Sequence, residues 1–462
     1  MILAPEFCSM MNELLGSDEA LLLLDALEQP APTSIRLSRH KPYTIAAELI
    51  DAPVPWCSRG YYLRHRPTFT GQSAFHAGAY YVQEASSMLI ASIESLLGSD
   101  PLCALDLCAA PGGKSTLLLD ILPEGSTLVS NEVVKHRANI LVENLQKWGN
   151  PNSIATSAMP AQLGQLGETF DLILVDAPCS GEGMFRKDLA ARQEWNAGSP
   201  SMCATRQREI LADIWGALRP GAMLVYSTCT MNREENEDVL AYIIETLGAE
   251  PIDLGTLEHG IWRSPFINYP CYRMMPHRTR GEGLFMAVVR KLGETTTGST
   301  RTRSKGRSKG RDKQSIPQEA YGYLANPQDF VWELRGEDIL AYPERSAELI
   351  QRLQELRVPI LSAGVAVASL RGKSLIPHTA LALSTALRAD AFEWVALEDK
   401  QVIPYLSREA IQLDEALGAG IKLVHHRGLA LGFVKHLGRR SNNLYPQEWR
   451  IRHGERLQQE QL

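Results

Sequence analysis

Residues 104–116 read Ala-Leu-Asp-Leu-Cys-Ala-Ala-Pro-Gly-Gly-Lys-Ser-Thr, and this stretch decides the fold. A short apolar run containing Asp106 ends in a turn of small residues, and a helical pattern starts at Ser115. A strand, a glycine-rich turn and a helix N-terminus in this order turn exposed backbone N–H groups toward a polar or anionic ligand. The residues Pro111-Gly112-Gly113 permit close approach of the backbone. The stretch therefore predicts the first strand of a ligand-binding sheet.

Strands and helices alternate from this stretch to about residue 290, which predicts a doubly wound, mostly parallel α/β sheet. After the first strand, four more are expected at 126–132, 153–156, 171–177 and 222–227. Two further apolar segments, 272–275 and 283–290, are expected to close the sheet. The intervening helices are predicted at 115–121, 134–148, 203–218 and 233–247.

The composition divides the chain into four regions. Residues 1–100 are expected to form a small α+β domain, with helix to about residue 30, a strand at 33–37 and a helix over 80–97. Residues 101–292 form the sheet domain. Residues 293–315 carry seven Lys/Arg and almost no apolar side chain, which predicts a disordered linker. Residues 316–462 are expected to be β-rich, with a helix at 344–356 and a basic tail, 421–456, of eight Lys/Arg against two acids.

The bulk properties limit the class of protein. The chain has 462 residues and a net charge of −6, and this charge neither indicates nor excludes nucleic-acid binding. Its eight cysteines form no C-x-x-C pair, which is typical of a reduced intracellular protein without a disulfide framework or a metal site. We find no signal-peptide pattern, and the longest weakly polar run, 358–370, is shorter than the roughly 20 residues of a membrane span. We expect a cytoplasmic monomer without membrane association.

Polar and small residues follow four of the predicted strands. They are Cys108 to Lys114, Glu132, the sequence Asp176-Ala177-Pro178-Cys179 and the sequence Ser227-Thr228-Cys229. In an open parallel sheet, ligands bind at the carboxyl ends of the strands. Glu132 is placed to accept hydrogen bonds from both hydroxyls of a ribose. If the fourth and fifth strands are neighbours, the two cysteines face one pocket.

A single cysteine is more often a small buried residue than a functional one. Two cysteines at two strand ends, one of them close to Asp176, favour a functional pair. A metal site would need more ligands at closer spacing, and a disulfide is not expected in the cytosol.

The turn also resembles a phosphate-binding loop, but that pattern requires glycine where Cys108 stands, and Pro111 stiffens the loop. No G-x-G-x-x-G dinucleotide fingerprint is present in this part of the chain. The remaining ligand class is a nucleoside with a ribose and no long phosphate chain, which S-adenosylmethionine fits.

These residues resemble the Nop/Sun family of RNA (cytosine-5)-methyltransferases, and within it the bacterial small-subunit rRNA methyltransferase F type. The motifs that carry the resemblance are Tyr81 to Ser87, Cys108 to Lys114, Asn131-Glu132, Asp176 to Gly183 and Tyr226 to Thr230. At the two ends, Thr33 to Arg36 resembles the family's N-terminal RNA-binding domain, and 427–446 resembles its PUA-like RNA-binding module. The resemblance implies a class I S-adenosylmethionine methyltransferase that makes 5-methylcytosine in RNA, most simply in 16S rRNA, naked or within the small ribosomal subunit.

The resemblance also implies roles for individual residues. Cys229 is the nucleophile that adds to carbon-6 of the flipped-out cytosine, Cys179 helps to eliminate the adduct, and Asp176 hydrogen-bonds the base. The residues expected to line the cofactor pocket are Cys108, Ala109, Ala110, Pro111, Gly112, Gly113, Lys114, Glu132, Arg137 and Asp176. Lys114 is expected to contact the cofactor or Asp106, or simply to be paired.

One departure from the family pattern concerns the segment after the third strand. Many relatives carry a carboxylate there, near the adenine amine, whereas Thr156-Ser157-Ala158-Met159 supplies none. Arg186 and Lys187 fit either RNA phosphates or exposed salt bridges. Three alternatives stay open at this point: a tRNA substrate, a non-catalytic RNA-binding assembly factor, and, more distantly, an ATPase. The presence of both cysteines argues against the assembly factor.

Overall fold

The computed structural model describes residues 3–293, 316–372, 374–452, 454 and 457. Apart from residue 293, the predicted basic linker lies outside the described residues. The described parts form one sheet of ten strands and three sheets of four.

The N-terminal region packs two helices and a small antiparallel sheet, of strand order β2-β3-β1-β4, against the central domain. Its elements are α1 (Pro5–Leu15), α2 (Ser17–Glu28), β1 (Thr33–Leu37), β2 (Ile50–Pro53), β3 (Gly60–Leu63), α3 (Ser73–His76) and β4 (Tyr80–Val82). The predicted first helix is broken at Gly16, whose φ of 81° ends α1.

The helix predicted over 80–97 is wrong at its start. Residues Tyr80–Val82 form β4, which pairs antiparallel with β1, and a 3₁₀ helix follows at Ser86–Leu96. Two tyrosines and a valine suit a pleated strand, and β1 offers them an edge to pair with. A long-range partner therefore decides the structure of this segment.

The elements of the central domain include those that the sequence predicts and four that it does not, at 160–164, 189–194, 249–252 and 262–263. They are β5 (Cys103–Asp106), α4 (Gly113–Ile121), β6 (Thr127–Asn131), α5 (Lys135–Trp148), β7 (Ser153–Thr156), α6 (Pro160–Gly164), β8 (Phe170–Asp176), α7 (Leu189–Glu194), α8 (Ser199–Trp215), β9 (Leu218–Thr228), α9 (Glu237–Glu245), β10 (Ala249–Ile252), β11 (Trp262–Arg263), β12 (Tyr272–Met274) and β13 (Leu284–Lys291).

Five strands of the large sheet run parallel, in the order β9-β8-β5-β6-β7. On the β9 side, β13 and then β12 and β11 extend the sheet antiparallel. Buried apolar side chains cover both faces of the sheet, as a doubly wound sheet requires. The predicted fold class is confirmed. Strands β8 and β9 are neighbours, with Asp176 opposite Ser227.

The C-terminal region holds two further four-stranded sheets, β14-β15-β17-β18 and β19-β20-β21-β22. Its elements are α10 (Gln318–Tyr321), β14 (Phe330–Arg335), β15 (Asp338–Pro343), α11 (Ala347–Glu355), β16 (Ile360–Ala363), β17 (Val365–Arg371), β18 (Ser374–Pro377), α12 (Thr379–Leu383), β19 (Glu393–Ala396), α13 (Asp399–Leu406), β20 (Gly420–His426), β21 (Leu429–His436) and β22 (Ser441–Asn443). Strand β16 leaves this region and pairs antiparallel with β7, so the C-terminal region completes the edge of the central sheet.

Candidate active site

The loop between β5 and α4 follows the carboxyl end of the central strand of the sheet. Gly112 has a φ of 114° and precedes α4, a conformation that favours glycine. The loop is fixed to the neighbouring strand end, because the N–H of Ala109 donates to the carbonyl of Asn131 at 2.8 Å. Cys108 lies in this loop, and burial raises the pKa of its thiol. The loop therefore presents backbone rather than a reactive thiol.

Asp106 closes β5 beneath this loop and is fully buried. Its Oδ2 accepts a hydrogen bond from Ser115 at 2.6 Å, whereas its Oδ1 is buried without a partner among the described residues. Burial raises the pKa of Asp106 to about 7. A carboxyl group that gives up so much hydration needs a compensating partner, and the open oxygen is a candidate acceptor for a ligand.

Glu132 follows β6 at the same edge of the sheet. Its Oε1 accepts from the N–H of Val134 at 2.9 Å, and its Oε2 lies 3.5 Å from a guanidinium nitrogen of Arg137. Arg137 also donates to the carbonyl of Ala110 at 2.8 Å, so it bridges the loop and Glu132. The residues predicted to hold S-adenosylmethionine thus lie together, and backbone, a carboxylate and an open buried oxygen fit a nucleoside ligand.

The segment after β7, Thr156-Ser157-Ala158-Met159, carries no acidic side chain. Instead Asn131 binds this segment: its Oδ1 accepts from Thr156 and from the N–H of Ala158, and its Nδ2 donates to the carbonyls of Leu107 and Ala158. Met159 extends from it, 65% exposed. The polar groups of this edge are therefore satisfied by a neighbouring strand.

The two cysteines of the predicted pair meet at the ends of β8 and β9. Their Sγ atoms lie 3.4 Å apart, within hydrogen-bonding distance, and all eight cysteines of the chain are free thiols. The hydrogen bond from Cys179 lowers the pKa of Cys229, and the nearby ammonium of Lys114 acts in the same direction. The same contact raises the pKa of Cys179 well above the ordinary value. Cys229 is therefore the better thiolate of the pair.

Lys114 and Asp176 form an ion pair beside Cys229. The Nζ of Lys114 lies 2.7 Å from Oδ2 of Asp176, and Oδ1 of Asp176 accepts from Ser227 at 2.9 Å. Burial disfavours the ammonium, but the Asp176 carboxylate outweighs it, and the pKa of Lys114 is raised. The prediction that Lys114 contacts Asp106 is therefore wrong. Asp106 is hydrogen-bonded to Ser115, and Lys114 pairs with Asp176 at the end of the neighbouring strand.

A buried polar cluster under the cysteines was missed by the sequence reasoning. We call it the cysteine-loop cluster; it consists of Ser180, Glu182, Gln207, Asn232 and Glu235. Glu182 is fully buried and accepts from the backbone N–H of Met231 and of Asn232 at 2.7 and 3.0 Å. Glu235 accepts from the N–H of Ser180 and from Gln207. Each carboxylate reaches across to the other cysteine's loop, so the cluster fixes the spacing of the thiols. The sequence signal was Glu182 within the Asp176 to Gly183 motif; Glu235 lies five residues beyond the Tyr226 to Thr230 motif.

A second buried cluster joins the N-terminal region to the cofactor loop. We call it the arginine–aspartate cluster; it consists of Arg36, Gln83, Thr116, Asp120 and Trp148. The guanidinium of Arg36, in β1, pairs with Asp120 and donates to Gln83 at 2.8 Å and to Thr116 at 2.7 Å. It also stacks over the ring of Trp148 at 4.7 Å. Asp120 and Thr116 lie in α4, so the N-terminal region braces the helix that carries Lys114.

Arg186 and Lys187 differ in their surroundings. Arg186 is buried and pairs with Glu282 at 2.8 Å, so it is engaged within the protein. Lys187 is exposed. Within the described residues, no group of His, Cys, Asp and Glu has the arrangement of a metal site, and no helix is long and apolar enough to cross a bilayer.

Comparisons with known proteins agree with these observations. Three family profiles match the chain: "16S rRNA methyltransferase RsmB/F" over residues 97–290, "N-terminal domain of 16S rRNA methyltransferase RsmF" over 3–85, and "Methyltransferase RsmF PUA domain" over 392–451. The ribosomal RNA small subunit methyltransferase F of Aliivibrio fischeri (strain MJ11) is 31% identical over 414 residues, covering 86% of this chain and 85% of the relative. The protein of the same name from Erwinia tasmaniensis is 29% identical and covers 96% of both chains.

Two crystal structures from Pyrococcus horikoshii share the fold. A methyltransferase homologue is 28% identical with a TM-score of 0.51, and it covers 62% of this chain and 94% of its own. NSun6 in complex with SFG is 21% identical with a TM-score of 0.52, and it covers 63% and 99%.

Proposed function

The chain belongs to the RsmB/F family of 16S rRNA methyltransferases, and from that premise we propose that Cys229 and Cys179 carry out its reaction. The reaction is S-adenosylmethionine-dependent methylation of carbon-5 of cytosine in small-subunit rRNA. The observation that carries the proposal is the 3.4 Å contact of the two thiols beside the Lys114–Asp176 ion pair.

Cys229 acts first, as the nucleophile. Carbon-5 of cytosine is a poor nucleophile until a thiolate bonds to carbon-6 and the electrons of the C5–C6 double bond become available at carbon-5. Cys179 holds Cys229 as the thiolate by hydrogen bonding, and Lys114 favours that charge. Asp176 is held by Lys114 and Ser227 and accepts a hydrogen bond from the edge of the base.

S-adenosylmethionine, when bound, supplies an electrophilic methyl group, which carbon-5 takes as the bond to the sulfonium sulfur breaks. We assign its binding to the 108–114 loop, Glu132 and Arg137, since these lie at the strand ends next to Asp176. Glu132 binds the ribose hydroxyls, and Arg137 holds the loop through its hydrogen bond to the carbonyl of Ala110.

Cys179 acts in the second step. The carbon-5 proton must leave to a base, and the electrons of that C–H bond then re-form the double bond as the C6–S bond breaks and Cys229 returns to the thiolate. Cys179 lies 3.4 Å from Cys229. Once Cys229 is bonded to carbon-6, Cys179 gives up its own proton to solvent, and its raised pKa makes the resulting thiolate a base strong enough to take the carbon-5 proton. We therefore assign it to the release of the adduct.

The test measures the transfer of labelled methyl groups from S-adenosylmethionine by the full-length, monomeric protein. Transcribed 16S rRNA, assembled small subunits and tRNA are offered as separate substrates. We expect label in 5-methylcytidine after digestion of the 16S rRNA, as naked RNA or within the subunit. Label confined to tRNA, or label in another nucleoside, would overturn the assignment. Fractionation of cells that produce the tagged protein would show whether it is found in the cytoplasm together with ribosomal particles, which contain this substrate.

A further inference from the structure

A cleft of about 420 Å³ lies between the N-terminal region and the segment that precedes β13. It is lined by Pro30, Pro32, Arg278, Arg280 and Arg186, among others. We call it the arginine cleft. Its volume is sufficient for one or two phosphate groups of a nucleic-acid backbone.

Aromatic rings hold the two outer guanidinium groups in place. Arg278 stacks over Trp262 at 4.5 Å, and Arg280 stacks over Tyr62 at 4.4 Å. The backbone is fixed as well, because Tyr62 donates its hydroxyl to the carbonyl of Arg280 at 2.6 Å. The side chains are still 36% and 46% exposed. The two guanidinium groups are therefore held in fixed orientations and remain accessible to a ligand.

The carboxylates that pair with these arginines are partly exposed to solvent. Two nitrogens of Arg278 lie 3.0 and 3.1 Å from the carboxylate of Glu19, which also lies 2.8 Å from His277, and Arg280 pairs with Asp51; both carboxylates are about one-third exposed. Exposed ion pairs of this kind contribute little to stability. A phosphate, which accepts two parallel N–H donors from one guanidinium, can replace such a carboxylate. Arg186 differs, since it and Glu282 are both buried.

The cleft is directly connected to the loop of Cys179. A side chain at Gly183 would come within 2.6 Å of the carbonyl of Cys229 and 3.1 Å of that of Glu282. Arg186 donates to the carbonyl of Gly281 at 2.6 Å, which fixes the segment after Arg280 to the same loop. Arg186, which lines the cleft, therefore connects it to the loop that carries Cys179.

We propose that the arginine cleft binds the phosphodiester backbone of the RNA strand next to the target cytosine, through Arg278 and Arg280. This inference rests on the proposed function, because it assigns part of that same substrate to the cleft. When the target base leaves the helical stack to reach the thiols, the phosphates on either side of it must be held in position. The guanidinium groups of Arg278 and Arg280 can bind these phosphates.

The test is binding of transcribed 16S rRNA by the full chain at several salt concentrations. We expect the double variant Arg278→Gln/Arg280→Gln to bind about tenfold more weakly, and the slope of log K against log salt to fall by about 1.4, as two lost phosphate contacts on a single strand predict. The loss should appear in KM for RNA, with the Kd for S-adenosylmethionine unchanged. The matched control is Arg290→Gln, since Arg290 is 48% exposed and pairs with Glu250 on β10, away from the cleft.

Two carboxamide variants separate a phosphate contact from a structural ion pair. Glu19→Gln and Asp51→Asn should bind RNA as tightly as the wild type or more tightly, because they free the arginines. Weaker binding by these variants, or an unchanged salt slope in the double arginine variant, would overturn the proposal. If the wild type transferred no methyl group to the RNA while the arginine variants still lost binding, the proposed function would fail and the cleft would stand.

Discussion

The two buried polar clusters beneath the active site differ in the parts of the chain that they join. The cysteine-loop cluster lies within the central domain, and its carboxylates Glu182 and Glu235 link the loops after β8 and β9. The arginine–aspartate cluster links two domains, because Arg36 comes from β1 and Asp120 from α4. The thiols are thus positioned locally, whereas the cofactor loop depends on the N-terminal region. Substitutions in the two clusters should therefore affect different steps.

The largest effect is expected from Cys229→Ala. Removing a nucleophile costs on the order of 10⁴-fold or more in turnover. The Kd for S-adenosylmethionine should stay within about twofold, since the cofactor loop is held by the other cluster. The measurement is single-turnover methyl transfer with equilibrium dialysis. Cys203→Ala is the matched control, a buried free thiol on α8 that should keep its activity. Turnover near wild type in Cys229→Ala would refute the nucleophile assignment.

The next effect tests the cluster that joins the domains. Asp120→Ala leaves the buried guanidinium of Arg36 without its carboxylate, which should lower the free energy of unfolding by about 3–5 kcal/mol. Affinity for S-adenosylmethionine should fall as well, because α4 loses its brace. Urea unfolding and dialysis measure the two.

The double variant Arg36→Met/Asp120→Leu provides the control, since it removes both charges and should recover much of the stability. If cofactor affinity is unaffected in Asp120→Ala while stability falls, the N-terminal region does not position the loop.

Asp106 lies at the start of the cofactor loop and should make stability depend on pH. Its pKa is raised by burial to about 7, from about 3.9 in an unfolded chain. Between these values the folded state holds the proton that the unfolded state has released, so stability falls as pH rises from about 4 to 7. The total is at most about 4 kcal/mol.

The Asp106→Asn variant should lack this contribution, so the wild type should lose stability relative to it between pH 5 and 7. Urea denaturation of both proteins at pH 5, 6 and 7 measures the difference. A constant difference would mean that Asp106 is ionised throughout.

The smallest effect concerns the pH at which the thiolate forms. Since the hydrogen bond from Cys179 lowers the pKa of Cys229, adduct formation should gain its full rate below the pH at which an ordinary thiol ionises. In Cys179→Ala that midpoint should move to higher pH, because one hydrogen bond to the thiolate is lost. Rapid-quench measurement of adduct formation from pH 6 to 9 gives both midpoints, with Cys203→Ala unshifted. An identical midpoint in Cys179→Ala would remove its role in activation.

The sequence predicted the five parallel strands and the motifs at their ends because these signals are local. The apolar run of β8 and the turn at Pro111-Gly112-Gly113 are each recognised from a few consecutive residues, and both form in the structure. The strand at Tyr80–Val82 and the edge strand Ile360–Ala363 were not predicted, since each depends on a partner strand distant in sequence.

The same limit applied to the site. The residues at the strand ends could be identified from the sequence. Whether Lys114 pairs with Asp106 or with Asp176, however, depends on which strands are neighbours in the sheet. Glu182 and Arg36 received no structural role from the sequence, because a buried charge is recognisable only when its partners are known.

The central claim is the division of labour between the two thiols, and trapping the covalent adduct tests it most directly. Wild type, Cys179→Ala and Cys229→Ala are incubated with 16S rRNA and S-adenosylmethionine, separated on denaturing gels, and the crosslinked peptide is identified by mass spectrometry. The account predicts a stable protein–RNA adduct in Cys179→Ala, attached at Cys229, and none in Cys229→Ala. An adduct in Cys229→Ala attached at Cys179 would contradict it.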